Sequence, residues 1–232
     1  MEGPSQSLSN RYQLRSNLIQ TILHAMPQPK ALIFDVDGTL ADTERDGHRV
    51  AFNRAFEEAG LDWHWDIETR HFVELLKSGT IPLRPGVRRL LLEARAAGLR
   101  LATATTTTPQ NVTTLLISTL GEESISWFDV IAAGDVVAEK KPAPDIFLYA
   151  MKKMGLNAND CVAFEDSENG LRSSIGAGIK TIVTTNAYTH QQDFTGAALV
   201  LDQLGEPQAA FSVLSGNAGT ATYVDVKLIK NL

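Results

Sequence analysis

Two aspartates stand two residues apart where an apolar segment ends, in the run from Phe34 to Leu40. In an extended chain this spacing places both carboxylates on the same side, and Gly38 allows a sharp turn directly after them. A carboxylate nucleophile splits one difficult displacement into two easier steps, and a neighbouring carboxyl group can act first as an acid and then as a base. The pattern predicts this pairing for Asp35 and Asp37. The alternative for Asp37 is a turn-capping aspartate.

Two adjacent acids, Glu165 and Asp166, follow a second apolar run that starts at Cys161. Carboxylate oxygens are hard ligands that suit Mg²⁺, which is bound in proteins by such side chains together with water. The sequence predicts a magnesium site at Asp35, Glu165 and Asp166. The alternative is that the adjacent acids belong to a solvated loop.

Apolar, β-branched runs alternate with helical patterns, and this alternation brings the candidate residues together. The predicted strands are 31–36, 99–105, 128–132, 161–164, 181–184 and 198–201, and the predicted helices are 87–97, 111–120, 145–154 and 170–178. Such alternation forms parallel βαβ units, so we predict an α/β fold with a doubly wound, three-layer parallel sheet. Ligands of these sheets bind beyond the carboxyl ends of the strands, where the candidate residues fall.

The sequence pattern between the first two strands differs from the alternating strands and helices of the rest of the chain, and it predicts a domain insertion. Two helical patterns within 41–84 predict a reduced helical cap. The catalytic core then comprises 30–40 and 85–232, and 1–29 form a leader or an N-terminal helix.

Aromatic and basic residues of this insertion are candidates for substrate contacts. Trp63 and Trp65 are expected to pack the cap onto the core, with a place at the substrate entrance as the alternative. Arg70, His71 and Arg84 are interpreted either as surface cations or as ligands of a second phosphate.

Charge and composition exclude several classes of partner. The formal charge is −6 with no run of Lys or Arg, which argues against a nucleic-acid partner. No apolar run approaches the ~20 residues of a membrane span, and Cys161, the one cysteine, suits a reducing compartment. We therefore expect a soluble cytoplasmic monomer. The alternative is the plastid stroma, if the acid-poor leader is a transit peptide.

The aspartate pair and the later strand-end residues resemble, in the same order, the signature motifs of the haloacid dehalogenase (HAD) superfamily, over about residues 30–205. By this resemblance Asp35 attacks phosphorus to give an aspartyl-phosphate. Asp37 protonates the leaving oxygen, then activates water, and offers its backbone carbonyl to Mg²⁺. The metal ligands implied are Asp35, Asp37, Glu165 and Asp166.

The remaining motifs supply contacts to the phosphate. Thr105 matches a hydroxyl that hydrogen-bonds the transferring phosphoryl group, with Thr106 as a further donor. Lys141 matches a lysine before proline that directs a compact positive charge at the phosphate oxygens. Lys140 is the alternative for that role.

Longer matches point to a branch of the superfamily. Lys-Pro-Ala-Pro-Asp at 141–145 and Glu-Asp-Ser-Glu-Asn-Gly at 165–170 resemble the β-phosphoglucomutase-like branch, and Leu-Asp-Trp-His-Trp-Asp at 61–66 is similar to CbbY-type xylulose-1,5-bisphosphate phosphatases. The resemblance implies Mg²⁺-dependent hydrolysis of a small sugar phosphate or bisphosphate. Those relatives carry at least four cap helices, whereas 41–84 has room for about two. The alternatives are a phosphosugar mutase, whose lid must shield the intermediate from water, and a catalytically weakened binding protein.

Overall fold

The computed structural model describes residues 28–43, 77 and 81–232, and a twisted sheet forms their centre. The strands are β1 (Ala31–Phe34), β2 (Arg100–Thr105), β3 (Phe128–Ala133), β4 (Cys161–Glu165), β5 (Lys180–Thr184), β6 (Leu199–Leu201) and β7 (Val213–Gly216). Their order in the sheet is β3-β2-β1-β4-β5-β6-β7. All neighbouring pairs are parallel except β6 and β7, which are antiparallel.

Helices cover both faces of this sheet. They are α1 (Val87–Ala96), α2 (Pro109–Leu120), α3 (Asp145–Met154), α4 (Glu168–Gly176) and α5 (Val226–Lys230). Short 3₁₀ helices occupy Glu122–Trp127, Gly134–Val136 and Ala158–Asp160. Side chains of α1, α2 and α5 build one apolar core, and those of α3 build a second core on the opposite face. The molecule therefore has the predicted three layers.

The central strand explains why its sequence is apolar throughout. Leu32 and Phe34 face the first core, whereas Ala31 and Ile33 face the second. All four are fully buried, as expected for a parallel strand covered by helices on both sides. Phe34 stacks on Phe164 of β4, with ring centroids 4.5 Å apart, and this contact lies directly beneath the residues that leave the sheet.

The predicted strands and helices agree closely with those observed, so the doubly wound α/β fold is confirmed. Two elements were missed, the edge strand β7 and the short helix α5. Ala41 forms an antiparallel bridge with Leu83, so the chain leaves and re-enters the core at adjacent positions. Most of the predicted cap and leader lies outside the described residues. No helix in the described ranges has the length and apolar character needed to cross a bilayer.

Candidate active site

The turn after β1 brings the first aspartate to the carboxyl edge of the sheet. The backbone N–H of Asp35 donates to the carbonyl of Phe164 at 2.9 Å, and Gly38 N–H donates to the Ala41 carbonyl at 2.8 Å, which closes the turn. Gly38 has φ +86°, and a Cβ atom there would lie 2.2 Å from Oδ2 of Asp166. A glycine is required at this position because the left-handed backbone and the close approach both exclude a side chain.

Lys141 lies in the loop before α3 and joins two buried carboxylates. Its Nζ atom donates to Oδ1 of Asp35 and to Oε1 of Glu165, both at 2.6 Å. The side chains of Lys141, Asp35 and Glu165 are 8%, 9% and 0% exposed, so water screens these ion pairs little. The Nζ atom also lies 5.4 Å from the centre of the Phe147 ring.

Asp166 completes an acidic cluster with these two carboxylates. One ligand atom from each of Asp35, Glu165 and Asp166 lies within 4.8 Å of the others, and all three residues are buried. Oδ2 of Asp166 accepts a hydrogen bond of 2.7 Å from the side-chain amide of Asn186. The structure therefore brings together the carboxylates that the sequence selected as metal ligands, and places Lys141 among them.

Burial raises the pKa of every carboxyl group in this cluster. It raises the pKa of Asp35, and it raises the pKa of Glu165 well above its ordinary value, in both cases against the attraction of Lys141. Burial and the neighbouring Asp35 raise the pKa of Asp166 to about 7. Burial alone would lower the pKa of Lys141, but the carboxylates of Asp35 and Glu165 outweigh it and raise that pKa. Burial therefore favours the protonated form of these carboxyl groups, and Lys141 offsets that effect only in part.

The cluster fits a divalent cation. When all three are ionised, its carboxylates carry three negative charges beside the positive charge of Lys141, and a divalent ion would stabilise that ionised form. All the candidate ligand atoms are oxygens, which Mg²⁺ prefers. Oε2 of Glu165 is buried and has no hydrogen-bond partner in the described part of the chain, a costly state that a bound ion would relieve.

Asp37 lies two residues after Asp35, in the turn that follows β1. Its Oδ1 atom accepts a hydrogen bond of 2.7 Å from the hydroxyl of Thr43. Asp37 is only partly buried, so a substrate can reach it from the solvent side. The bond to Thr43 ties its carboxylate to the first residues of the predicted insertion.

The predicted phosphate-binding threonines lie on the neighbouring strand. Phe34 pairs with Thr103, so Thr105, the last residue of β2, reaches past the end of β1 at the same edge. Its side chain is buried, and its hydroxyl accepts the N–H of Thr107 at 3.3 Å. Thr106 follows and is exposed. Both threonines therefore lie at the edge that carries the acidic cluster.

The structure distinguishes the two adjacent lysines. Lys140 is partly exposed and pairs with Asp135 at 2.7 Å, while it also donates to the carbonyl of Gly134. Lys141 enters the acidic cluster instead, in agreement with the preference for the position before proline.

Arg84 is buried, so its interpretation as a surface cation is wrong, whereas its interpretation as a ligand of a second phosphate stays a prediction. Its guanidinium donates to the carbonyls of Gly38, Thr184, Thr185 and Asp202 at 2.5–3.0 Å. It therefore fastens the turn after β1 to the ends of β5 and β6. The other residues considered for substrate contacts, Trp63, Trp65, Arg70 and His71, lie outside the described residues.

Three residues of the site were not selected from the sequence. Asn186 donates a hydrogen bond to Asp166, and Thr43 donates one to Asp37. Gly170 leaves space for the Glu165 carboxylate, since a Cβ atom at Gly170 would lie 1.8 Å from Oε2 of Glu165. Asn186 lies two residues after the end of β5. Its position just after a predicted strand, which also marked the acids, could have identified it. No signal in the sequence marks Gly170 as a partner of Glu165.

The chain is similar to known phosphatases over most of its length. The haloacid dehalogenase-like hydrolase family matches residues 51–178. The CbbY protein of Cupriavidus necator is 44% identical over 221 aligned positions, covering 77% of this chain and 87% of the relative. Fructose-1-phosphate phosphatase YqaB of Escherichia coli is 29% identical and covers 65% of this chain and 94% of the relative.

A solved structure shares both fold and sequence. CbbY of Rhodobacter sphaeroides, crystallised with phosphate, has a TM-score of 0.72 and 41% identity, and the match covers 76% of this chain and 95% of that chain. A mutant of that protein was crystallised with xylulose-1,5-bisphosphate. Since 77% of this 232-residue chain is fewer than 221 residues, the alignment with the Cupriavidus relative includes positions at which this chain has no residue.

Proposed function

The chain belongs to the haloacid dehalogenase-like hydrolase family and is a phosphatase related to CbbY, and on this premise we propose that it hydrolyses a small sugar phosphate or bisphosphate with Mg²⁺ as its cofactor. The observation that carries the proposal is the buried contact of Lys141 with both Asp35 and Glu165, with Asp166 beside them. Four buried ionisable groups are expensive to desolvate. Buried ionisable residues of this kind are found most often at catalytic sites.

Asp35 is the nucleophile in this proposal, and Asp37 is the acid and base. Asp35 attacks phosphorus while the bond to the leaving oxygen breaks, and Asp37 gives its proton to that oxygen. Water then attacks the aspartyl-phosphate and passes a proton to Asp37, so that phosphate leaves and Asp35 is regenerated. The partial exposure of Asp37 suits this role, because both the leaving group and the water arrive from outside the buried cluster.

The other residues hold and neutralise the phosphate. Lys141 directs its ammonium at the oxygens of the group attached to Asp35, and Thr105 and Thr106 offer hydrogen-bond donors at the end of β2. Asp35, Glu165, Asp166 and the carbonyl of Asp37 would hold Mg²⁺. The chemistry supplied by the bound ion is charge neutralisation and orientation of the phosphoester.

The substrate class is supported by the relatives. The Rhodobacter CbbY structures hold phosphate in one case and xylulose-1,5-bisphosphate in another, and YqaB acts on fructose-1-phosphate by its name. We propose a phosphorylated sugar as the substrate on this basis. A screen of sugar monophosphates and bisphosphates, scored by phosphate release, identifies it. Equal rates on every phosphoester would contradict a dedicated sugar phosphatase.

The mechanism is tested by paired variants of the two aspartates. Phosphate release from an aryl phosphate with Mg²⁺ is measured for the wild type, Asp35→Asn and Asp37→Asn. We expect no detectable turnover for Asp35→Asn because the amide cannot form the aspartyl-phosphate. Asp37→Asn keeps its backbone carbonyl, so it should retain Mg²⁺ binding while turnover falls by about 10²-fold or more. Wild-type rates in Asp35→Asn would end the covalent mechanism.

A further inference from the structure

The side chain of Asn186 holds one of the carboxylates in the acidic cluster. Asn186 lies two residues beyond β5, and its Nδ2 atom donates to Oδ2 of Asp166 at 2.7 Å. The same oxygen faces Gly38, where a Cβ would lie at 2.2 Å. The amide of Asn186 and the turn after β1 therefore both lie against Oδ2 of Asp166.

Hydrogen bonds within the β5 loop determine which end of the amide faces Asp166. Oδ1 of Asn186 accepts the backbone N–H of Tyr188 at 2.9 Å, so Nδ2 is the atom left to point at the carboxylate. The backbone N–H of Asn186 donates to the hydroxyl of Thr189 at 3.1 Å, and Thr189 is buried. The donor is thus oriented by the loop before any ligand arrives.

We infer that Asn186 is a positioning residue that fixes the Asp166 carboxylate in the orientation needed to bind Mg²⁺. The inference rests on the proposed function, because it assigns Asp166 to the metal. A carboxylate group that rotates freely about its Cβ–Cγ bond loses conformational entropy when it binds an ion. A carboxylate group that a hydrogen-bond donor already holds in place loses less. Neither a contact with substrate nor a role in proton transfer is assigned to Asn186.

The test variant is Asn186→Ser, and the matched control is Thr189→Val. A serine hydroxyl can still accept the Tyr188 N–H as a turn residue, but it is too short to reach Asp166 in place of Nδ2. Thr189→Val removes the hydroxyl that accepts the Asn186 N–H, so it perturbs the same loop while leaving the contact with Asp166. Asn186→Ala serves as a second variant that removes both side-chain bonds.

Mg²⁺ binding is measured directly by isothermal titration calorimetry on the full chain, alongside the dependence of phosphate release on Mg²⁺. We expect Kd for Mg²⁺ to rise about tenfold in Asn186→Ser and Asn186→Ala and to change less than twofold in Thr189→Val. Turnover of Thr189→Val at saturating Mg²⁺ should stay near the wild-type value. Thermal unfolding of each variant, measured by circular dichroism without metal, reports whether the fold is intact.

The outcomes separate this inference from the proposed function. If the wild type binds Mg²⁺ and both Asn186 variants bind it equally tightly, the positioning role is wrong while the metal site stands. It is also wrong if Thr189→Val weakens binding as much as Asn186→Ser does, because the loop rather than the amide then matters. If the wild type binds no Mg²⁺, the proposed function fails and the inference fails with it.

Discussion

Replacing Gly170 with alanine should have two opposing effects, because it favours the helix but crowds the Glu165 carboxylate in the acidic cluster. Gly170 lies within α4, where alanine is favoured over glycine by about 1 kcal/mol. A Cβ atom there would lie 1.8 Å from Oε2 of Glu165 and 2.2 Å from its Cδ. The carboxylate is the end of a side chain, but it is fully buried and bonded to Lys141 at 2.6 Å. The Glu165 carboxylate therefore cannot move away from a Cβ atom at position 170 without weakening its hydrogen bond to Lys141.

The size of the loss follows from these contacts. To restore a separation of 3.0 Å, which real Cβ atoms keep, the Glu165 carboxylate must withdraw by more than ~1 Å. That shift strains a charge-assisted bond to Lys141, and overpacking of a filled interior costs about 1–3 kcal/mol. After the gain in helix propensity, we expect Gly170→Ala to lower the free energy of unfolding by up to about 2 kcal/mol. Kd for Mg²⁺ should rise about tenfold or more, because a ligand has moved.

Gly176→Ala is the matched control, since it lies in the same helix. A Cβ at Gly176 would lie 3.4 Å from the Cβ of Pro144, an ordinary contact, so the variant should gain about 0.5–1 kcal/mol and bind Mg²⁺ like the wild type. Urea unfolding followed by circular dichroism, with EDTA present, measures the stabilities, and calorimetry measures Kd. If Gly170→Ala matches the control in both stability and Mg²⁺ binding, the Glu165 carboxylate does not occupy the position described.

Two further predictions concern the charges of the site. Arg84→Met should lower the free energy of unfolding by about 3–5 kcal/mol in urea titrations, because backbone carbonyls at the ends of β1, β5 and β6 lose their buried donor; a loss under 1 kcal/mol would contradict the fastening role. Burial and Asp35 raise the pKa of Asp166 to about 7, so protons should compete with Mg²⁺, and Kd should fall as pH rises from about 6 to about 8 and then level off. The raised pKa also makes the protein without bound metal lose stability between about pH 4 and pH 7, since Asp166 releases its proton at lower pH when unfolded. Asp166→Asn should reduce this loss of stability, and the part that remains comes from Asp35 and Glu165, whose pKa values are also raised; an unchanged pH dependence of stability would contradict the assignment to Asp166.

The sequence predicted the strands and the site acids because both follow from local patterns. A parallel strand covered on both faces must be apolar throughout, so its polar end is conspicuous. Asp35 and Glu165 directly follow such runs, and the register of β1 with β4 makes them neighbours. Lys141 was selected over Lys140 by the adjacent proline, and the ion pairs agree with that choice.

The elements that were missed lack such patterns. All four residues of β7 are exposed, so burial imposes no alternation on its sequence, and α5 has five residues, too few to show a helical period. The interpretation of Arg84 as a surface cation was wrong for a different reason. Most of its acceptors are backbone carbonyls, up to 118 residues away at Asp202, and the others are the carboxylate of Asp42 and the hydroxyl of Thr184. Any residue type supplies a carbonyl, so the identity of the partner residue does not reveal these contacts.

The charge balance of the cluster links the stability of the chain to its proposed chemistry. Burial of three carboxyl groups that also repel one another destabilises their ionised form, and the raised pKa values of Asp35, Glu165 and Asp166 express that cost. The apolar contacts around them, such as the stack of Phe34 on Phe164, hold the strand ends in place despite the repulsion. On the proposed function, a divalent cation held by these carboxylates would relieve the repulsion between them, and that relief would contribute to its affinity.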